Sequence, residues 1–253
     1  MMTKTFKADN LTVNVYDNRK SLGIAAAAAI GSCIKDLLKV KPEIYIIFAA
    51  APSQNEMLEA LVSDKEIEWN RIHALHMDEY VNLPADAPQG FGNFLKRAIF
   101  DHVPFASVEL IGTDADSEAA CRRYNAILEE NVVDIVCLGI GENGHIAFND
   151  PHVADFNDPL RIKKVDLDNK CRQQQVNDGC FETIDQVPTH ALTLTVPTLF
   201  NVENAFCVVP TKAKAEAIRK TVMGPIDESC PASIMRTHGN AILYIDTDSA
   251  SLL

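Results

Sequence analysis

The chain has 253 residues, of which 47% are hydrophobic, and its formal net charge is −12 at pH 7. This length suits one large α/β domain, and the hydrophobic fraction is that of a globular protein. The acidic balance argues against a nucleic-acid partner, because phosphates need a concentrated basic face that the sequence does not contain. We also expect no membrane partner, since no uninterrupted apolar stretch approaches the roughly 20 residues that a membrane span needs.

The cysteine pattern bears on the cellular compartment. Seven cysteines are spread along the chain without any Cys-x-x-Cys pair. An odd number of cysteines without a secretion signal favours reduced thiols and argues against zinc ligation. The alanine run at 25–29 is too short and too late in the chain for a signal-peptide core, so it predicts a closely packed helix. We therefore expect a cytoplasmic protein.

Short β-branched or aliphatic runs alternate with amphipathic stretches along the whole chain. We predict strands over residues 11–16, 44–50, 72–77, 108–112, 134–140, 191–196, 205–210 and 241–245. Predicted helices fall between most of them, over residues 18–39, 54–64, 116–130 and 212–222. Continuously apolar strands separated by helices are typical of a parallel sheet that is covered on both faces. The predicted fold is therefore α/β, a doubly wound, mostly parallel sheet with helices on both faces. We expect this Rossmann-like three-layer sandwich to form a single domain over residues 1–253.

Three of the predicted strands are followed by segments that could form a site. These segments begin at the strand ends and cover residues 48–56, 78–80 and 139–151. Ligands bind at the carboxyl ends of the strands in such sheets, so we expect the three segments to meet at one sheet edge. Asp78 is expected to face that edge, whereas Glu79 and Tyr80 are expected to have structural roles.

Residues 139–144 have the Gly-x-Gly-x-x-Gly spacing of a dinucleotide-binding turn. Such a turn needs its third glycine to open a long helix whose amino terminus faces the pyrophosphate. Here Asn-Asp-Pro at 149–151 leaves room for only about one helical turn. We therefore interpret the glycines differently, as residues that bring the backbone close to a ligand and let Asn143 and His145 point into a cleft.

Two longer strings identify a family. Gly-x-Gly-x-Asn-Gly-His-Ile-Ala-Phe-Asn-Asp-Pro at 139–151 and Met-Asp-Glu-Tyr-Val-x-Leu-Pro at 77–84 closely resemble the glucosamine-6-phosphate deaminase (isomerase) family. Similar segments follow in the same order over nearly the whole chain, at 100–103, 161–163, 186–193 and 214–225. The resemblance implies that a 2-amino-aldose phosphate is converted to a ketose phosphate with loss of ammonia. Glucosamine 6-phosphate, which would give fructose 6-phosphate, is the first expected substrate.

The resemblance assigns catalytic roles to Asp78, Asn143, His145 and Asp150. An aldose–ketose shift needs one carboxylate base over C1 and C2 of the sugar, and Asp78 matches that base. Ring opening needs an acid/base with a pKa near neutrality, and His145 matches it. Asn143 and Asp150 match the residues that orient the imidazole. Because an amide carries no charge, we expect Asp150, one methylene shorter than the usual glutamate, to be the main support of the imidazolium.

The same resemblance implies three phosphate ligands, Ser53, Lys214 and Arg172. Ser53 falls at the hydroxyl position of a phosphate turn and is expected to cap the following helix, although Pro52 removes one amide from that turn. Lys214 aligns with a phosphate lysine. Arg172 is the single arginine of the segment 167–181, within an expected lid near 165–185. No metal and no organic cofactor is expected, because the chemistry transfers neither hydride nor electrons.

Several alternatives stay open at this stage. Galactosamine 6-phosphate is a second possible substrate, and a 6-phosphogluconolactonase shares the fold and a Gly-His loop. A non-catalytic sugar-phosphate sensor is the alternative from another functional class. Residues 161–163 resemble part of the family's effector site, but His152 and Val153 replace the usual small residues after Pro151. Allosteric regulation and the oligomeric state, including a homo-oligomer, therefore stay open.

Overall fold

The computed structural model describes residues 1–113 and 116–253. Its strands are β1 Met2–Ala8, β2 Leu11–Tyr16, β3 Ile44–Phe48, β4 Ile72–His76, β5 Asp78–Tyr80, β6 Ser107–Glu109, β7 Ile135–Leu138, β8 Ile162–Asp166, β9 His190–Leu194, β10 Asn204–Val209 and β11 Ala241–Asp246. Its α-helices are α1 Arg19–Leu38, α2 Asn55–Ser63, α3 Phe91–Leu95, α4 Ser117–Glu130, α5 Asn169–Asn177, α6 Val196–Phe200 and α7 Ala215–Met223. Short 3₁₀ turns at Pro52–Gln54 and Lys212–Lys214 precede α2 and α7.

The main sheet has eight strands in the order β1-β2-β11-β10-β7-β3-β4-β6. Only the β1–β2 pair is antiparallel, and the other six pairs are parallel. Helices α1 and α2 cover one face, and α4 and α7 contribute to the core on the other face. The sequence prediction of a doubly wound, mostly parallel α/β sandwich is confirmed.

Strand β3 shows why the sheet is buried on both faces. Its side chains at Ile46 and Phe48 pack into the core beneath α1 and α2, whereas Ile47 between them packs into the opposite core. Alternate residues of a strand point to opposite faces, so a strand covered on both sides must be apolar throughout. This explains the uninterrupted apolar run that predicted the strand.

A second, three-stranded antiparallel sheet, in the order β5-β9-β8, lies beside the main one. Residues 191–196, which were predicted for the parallel series, form most of β9 in the small sheet, so that prediction is wrong. An apolar run predicts a strand but does not say which strand it pairs with. In this sheet Asp78 of β5 lies opposite Thr193 of β9. The sheet thus fixes the backbone of a predicted catalytic residue.

Helix α1 contains the alanine run and is closely packed, as predicted. Asn18 caps its first turn by accepting the N–H of Ser21 at 2.9 Å. A methyl group on Gly23 would lie 2.6 Å from Cβ of Glu56 in α2, which shows how near the two helices approach. By length and composition alone, α1 is long and apolar enough to cross a membrane. In the structure it packs against the main sheet and α2, and a buried core helix passes the same test.

Candidate active site

A cavity opens at the carboxyl edge of the main sheet, where β3, β4, β7 and β10 lie side by side. The segments after these strands, 49–53, 77–78, 139–141 and 210–211, all line it. The chain runs outward from β3 in one direction and from β7 in the other, so the cavity lies at a topological switch point. The predicted meeting of three strand ends at one edge is confirmed. We call this space the sheet-edge cavity.

Asp78 lines the sheet-edge cavity from the first residue of β5. Only 7% of its surface is exposed. Burial, and then the nearby negative charge of Glu79, raise the pKa of Asp78 well above that of an ordinary carboxyl group. A carboxylate with a raised pKa is a stronger base, which suits the removal of a proton from carbon.

Glu79 has a structural role, as the sequence suggested. It stabilises α3, a helix that begins twelve residues later in the chain. Its carboxylate accepts N–H groups of Tyr80, Phe91 and Gly92 at 2.8–3.0 Å. Phe91 and Gly92 are the first residues of α3, so Glu79 satisfies amides that the helix leaves unpaired. Asp78 does not cap a helix directly after it, because residues 78–80 are a strand.

His145 also lines the cavity, and its ring is oriented from behind. Nδ1 lies 2.7 Å from Oδ1 of Asn143 and 3.0 Å from Oδ1 of Asp150. Both partners accept hydrogen bonds, so we assign the proton of the neutral ring to Nδ1. Nε2 is then the free acceptor, as a base that removes a hydroxyl proton requires.

Asn143 and Asp150 form one network around that imidazole. The Asn143 amide donates to Oδ1 of Asp150 at 2.8 Å and to Oδ2 of Asp168 at 3.2 Å. Asp150 is fully buried. Burial alone would raise its pKa, but the hydrogen bond and charge of His145 and the amide of Asn143 together lower the pKa of Asp150. The carboxylate therefore stays ionised beside the ring.

Two of the motif glycines give this loop its shape. A methyl group on Gly141 would lie 2.1–2.3 Å from ring atoms of His145, so only glycine lets the ring occupy its position. Gly144 has a φ of +89° and lies against Cys230, and that left-handed conformation favours glycine. No helix follows Gly144, since residues 145–149 form a turn with a bridge between Ile146 and Asn149. The rejection of a dinucleotide-binding turn is confirmed.

Lys214 enters the cavity from the end of the 3₁₀ turn before α7. It is 7% exposed, and its ammonium group makes no hydrogen bond or ion pair with residues 1–113 or 116–253. Burial lowers the pKa of Lys214, and the charges of Asp178 and Glu142 partly offset this. Thr211, just before the turn, has a strained φ of 83° and donates its N–H to Asp246. The fold therefore holds an unpaired, buried cation at the cavity.

Ser53 lines the cavity, but its expected role as a helix cap is wrong. Pro52 occupies the first position of the 3₁₀ turn, so the cap position falls on Ala51, and no side chain caps α2. The Ser53 hydroxyl instead accepts a hydrogen bond from the side-chain amide of Gln54 at 2.9 Å.

Arg172 is not among the residues that line the sheet-edge cavity. Its guanidinium donates to the backbone carbonyls of Ile184 and Val187 at 2.7 and 3.0 Å. These bonds tie α5 to the turn that follows it. The structure thus brings together six of the seven predicted site residues, with Asn143 and Asp150 behind His145, and leaves Arg172 apart.

Other residues line the cavity without having been predicted. Those with charged or amide side chains are Arg19 at the start of α1 and Gln174, Gln175 and Asp178 of the α5 segment. The Gln174 side chain also accepts a hydrogen bond from the N–H of Glu142 at 2.8 Å, which joins α5 to the loop that contains Gly141 and Gly144. Arg19 lies far from both sequence motifs, so no local pattern could have indicated it.

Two groups of described residues have donor atoms close enough to share a metal ion. His145, Asp150 and Cys171 form one, and Asp150, His152 and Asp168 form the other, with all donor atoms of a group within 4.8 Å of one another. In the first group the imidazole and one Asp150 oxygen are already hydrogen-bonded. Oδ2 of Asp150 has no hydrogen-bond partner in the described part of the chain. Burial, and then the charge of Asp150, raise the pKa of the adjacent Cys171 thiol, so its proton can face this oxygen.

The chain resembles known proteins over most of its length. The chain is 34% identical over 220 residues to a glucosamine-6-phosphate deaminase of Bacillus cereus, covering 87% of this chain and 82% of that protein. A glucosamine-6-phosphate deaminase of Bacillus thuringiensis matches with the same identity and coverage.

Solved structures give the same picture. A monomeric glucosamine-6-phosphate deaminase superposes with a TM-score of 0.87 at 30% identity, covering 95% of this chain and 99% of that one. A 6-phosphogluconolactonase of Thermotoga maritima shares the fold with a TM-score of 0.77 at 19% identity, covering 93% and 99% of the two chains. The model of the glucosamine-6-phosphate isomerase/6-phosphogluconolactonase family matches residues 17–243. The chain therefore belongs to this family.

Proposed function

We propose that the protein converts glucosamine 6-phosphate and water to fructose 6-phosphate and ammonia. The observation that carries this proposal is that a buried carboxylate, an oriented histidine and a buried unpaired cation line one cavity, namely Asp78, His145 and Lys214. The relatives named glucosamine-6-phosphate deaminase support the substrate class.

The reaction follows from the chemistry of these groups. Nε2 of His145 takes the proton of the anomeric hydroxyl and returns it to the ring oxygen, which opens the sugar. Asp78 then removes the proton from C2 and delivers it to C1, through an enolamine, while a proton passes from the amino nitrogen to O1. The resulting C2 imine adds water and releases ammonia, so the overall step is the hydrolysis of a carbon–nitrogen bond. Asn143 and Asp150 hold the imidazole and act as positioning residues.

The phosphate is the natural partner of Lys214 and Ser53. A largely buried lysine without an ion pair favours an anionic ligand, and a phosphate dianion meets this need. Lys214→Met should therefore raise KM for the sugar phosphate at least about tenfold, because a hydrogen bond to a charged group is lost. The matched control is Lys220→Met on the exposed face of α7, which should leave KM unchanged.

The segment 165–185 supplies one wall of the cavity through Gln174, Gln175 and Asp178. We propose that it acts as a lid over the sugar and that the whole chain, 1–253, folds as one domain around this site. The seven free thiols fit a reducing compartment, so we place the activity in the cytoplasm.

The test is a coupled ammonia-release assay with a panel of substrates. Glucosamine 6-phosphate should give one ammonia for each fructose 6-phosphate, and galactosamine 6-phosphate should react more slowly. Hydrolysis of 6-phosphogluconolactone without ammonia release from any hexosamine phosphate would overturn the proposal in favour of a lactonase. Binding of these sugars without turnover of any substrate would overturn it in favour of a sensor.

A further inference from the structure

Arg19 is a second cation at the sheet-edge cavity. It is the first residue of α1 and lines the same cavity as Ser53 and Lys214. Its side chain is 37% exposed, so a ligand in the cavity can reach it. Among the described residues that line this cavity, Arg19 and Lys214 are the only lysine or arginine side chains.

The guanidinium of Arg19 is held in place but not fully used. Nη2 donates to the carbonyl of Pro52 and to Oε2 of Glu56, each at 2.8 Å. Nε lies 2.6 Å from Oε1 of Glu56 as an ion pair, without the alignment of a hydrogen bond. Nη1 makes no hydrogen bond with any residue of the described ranges. The two N–H groups of Nη1 are therefore free to bind a ligand, and the guanidinium that carries them is fixed and charged.

The contact between Arg19 and the turn after β3 suggests what the free N–H groups could bind. Pro52 has no N–H, so the turn after β3 lacks one amide that could bind an anion. Arg19 donates a hydrogen bond to the carbonyl of that same proline, which holds its guanidinium against this turn. The arginine expected from the sequence, Arg172, has its Nη2 bonded to backbone carbonyls.

We propose that Arg19 binds the substrate phosphate together with Lys214 and replaces the amide that Pro52 removes. The identity of the ligand as a sugar phosphate rests on the proposed function. Glu56 offsets part of the positive charge, so the contribution of Arg19 is mainly that of charge-assisted hydrogen bonds from Nη1. Losing them should weaken phosphate binding about tenfold to a hundredfold.

The first experiment uses inorganic phosphate as the probe. Its dissociation constant is measured from the rise in melting temperature with phosphate concentration, in a phosphate-free buffer. Arg19→Gln should weaken binding about tenfold or more. Glu56→Gln should bind phosphate as well as the wild type or more tightly, because it unmasks the charge of Arg19. Arg219→Gln is the matched control, since Arg219 pairs with Glu216 in a similar way on the exposed face of α7.

A purely structural role for the Arg19–Glu56 pair predicts a different pattern. Either single variant would break the pair, so Glu56→Gln would weaken phosphate binding as much as Arg19→Gln. That result would overturn the proposal, as would an Arg19→Gln variant that binds phosphate like the wild type. A wild-type protein that does not bind inorganic phosphate would overturn the anion site as a whole, including Arg19.

Steady-state kinetics separate this proposal from the proposed function. With glucosamine 6-phosphate, Arg19→Gln should raise KM about tenfold to a hundredfold and leave kcat within about threefold. If the wild type turns over the sugar and KM of the variant is unchanged, only the assignment of Arg19 fails. If the wild type releases no ammonia, the proposed function fails, and the phosphate titration still tests Arg19.

Discussion

Nδ1 of His145 lies 3.0 Å from Oδ1 of Asp150, a carboxylate with no solvent exposure. The shorter acid therefore reaches the ring, and its carboxylate is fully enclosed by protein. Asp150→Glu adds a methylene where no room exists, which costs about 1–3 kcal/mol in a packed interior. We expect kcat for ammonia release to fall about tenfold or more, as the imidazole is displaced. Asp166→Glu, at an exposed position, is the control, and a higher kcat for Asp150→Glu would contradict the match.

Gly141 should not tolerate even a methyl group. Its Cβ would lie 2.1–2.3 Å from the ring of His145, so the histidine must move by an ångström or more. We expect Gly141→Ala to lower kcat/KM about a hundredfold, as measured by ammonia release. Gly239→Ala should be neutral, because no atom lies within 4 Å of the added methyl group there. Wild-type activity in Gly141→Ala would show that the ring position is not required.

His76 should make the fold sensitive to mild acid. Burial lowers the pKa of His76 to about 3, from an ordinary value of 6.5, and its Nε2 accepts the N–H of Ile111 at 2.8 Å. The ring stays neutral in the folded state but takes a proton in the unfolded chain below pH 6.5. Stability is therefore lost as the pH falls from 6.5 towards 3.

The variant His76→Gln isolates this effect, because glutamine can still accept the Ile111 N–H but takes no proton. Between pH 7.5 and 5, the wild type should lose about 2 kcal/mol more free energy of unfolding than the variant. Denaturant titrations at the two pH values measure the difference. Equal losses in the two proteins would mean that His76 is not kept neutral by burial.

Glu79 should matter for stability more than for chemistry. Its carboxylate accepts three backbone N–H groups, two of them at the start of α3. Glu79→Ala leaves these buried donors unpaired and should lower the free energy of unfolding by about 1–3 kcal/mol. Glu79→Gln, which keeps one acceptor oxygen, should lose less. Urea unfolding of the two variants is the measurement, and an alanine variant as stable as the wild type would contradict the capping role.

Local patterns predicted the main sheet well, and tertiary contacts explain what they missed. Strand β2 begins and ends at the predicted residues 11 and 16, because its apolar side chains are buried. Strand β1 is largely exposed and polar, so it carries no such pattern. The small sheet was missed because the pairing of Asp78 with Thr193 joins residues that are distant in the sequence.

Some residues of the candidate site could likewise be predicted from local patterns, and others could not. Asp78 and His145 lie within two continuous motifs, and their meeting at one edge follows from the parallel sheet. It was harder to predict which cations line the cavity, because the sequence of an irregular segment does not show where an arginine side chain points. Arg172 donates hydrogen bonds to backbone carbonyls, whereas Arg19, near the amino terminus, lines the cavity.

The central claim is that Asp78 moves the proton between C2 and C1 of a hexosamine phosphate. The measurement is ammonia release from glucosamine 6-phosphate by the wild type and by Asp78→Asn, with sugar-phosphate binding followed in both by melting temperature. The wild type should release ammonia and fructose 6-phosphate in equal amounts. The variant should bind the sugar but turn it over about a hundredfold to ten-thousandfold more slowly, since an amide cannot act as the base. Near-normal turnover by Asp78→Asn would contradict the account.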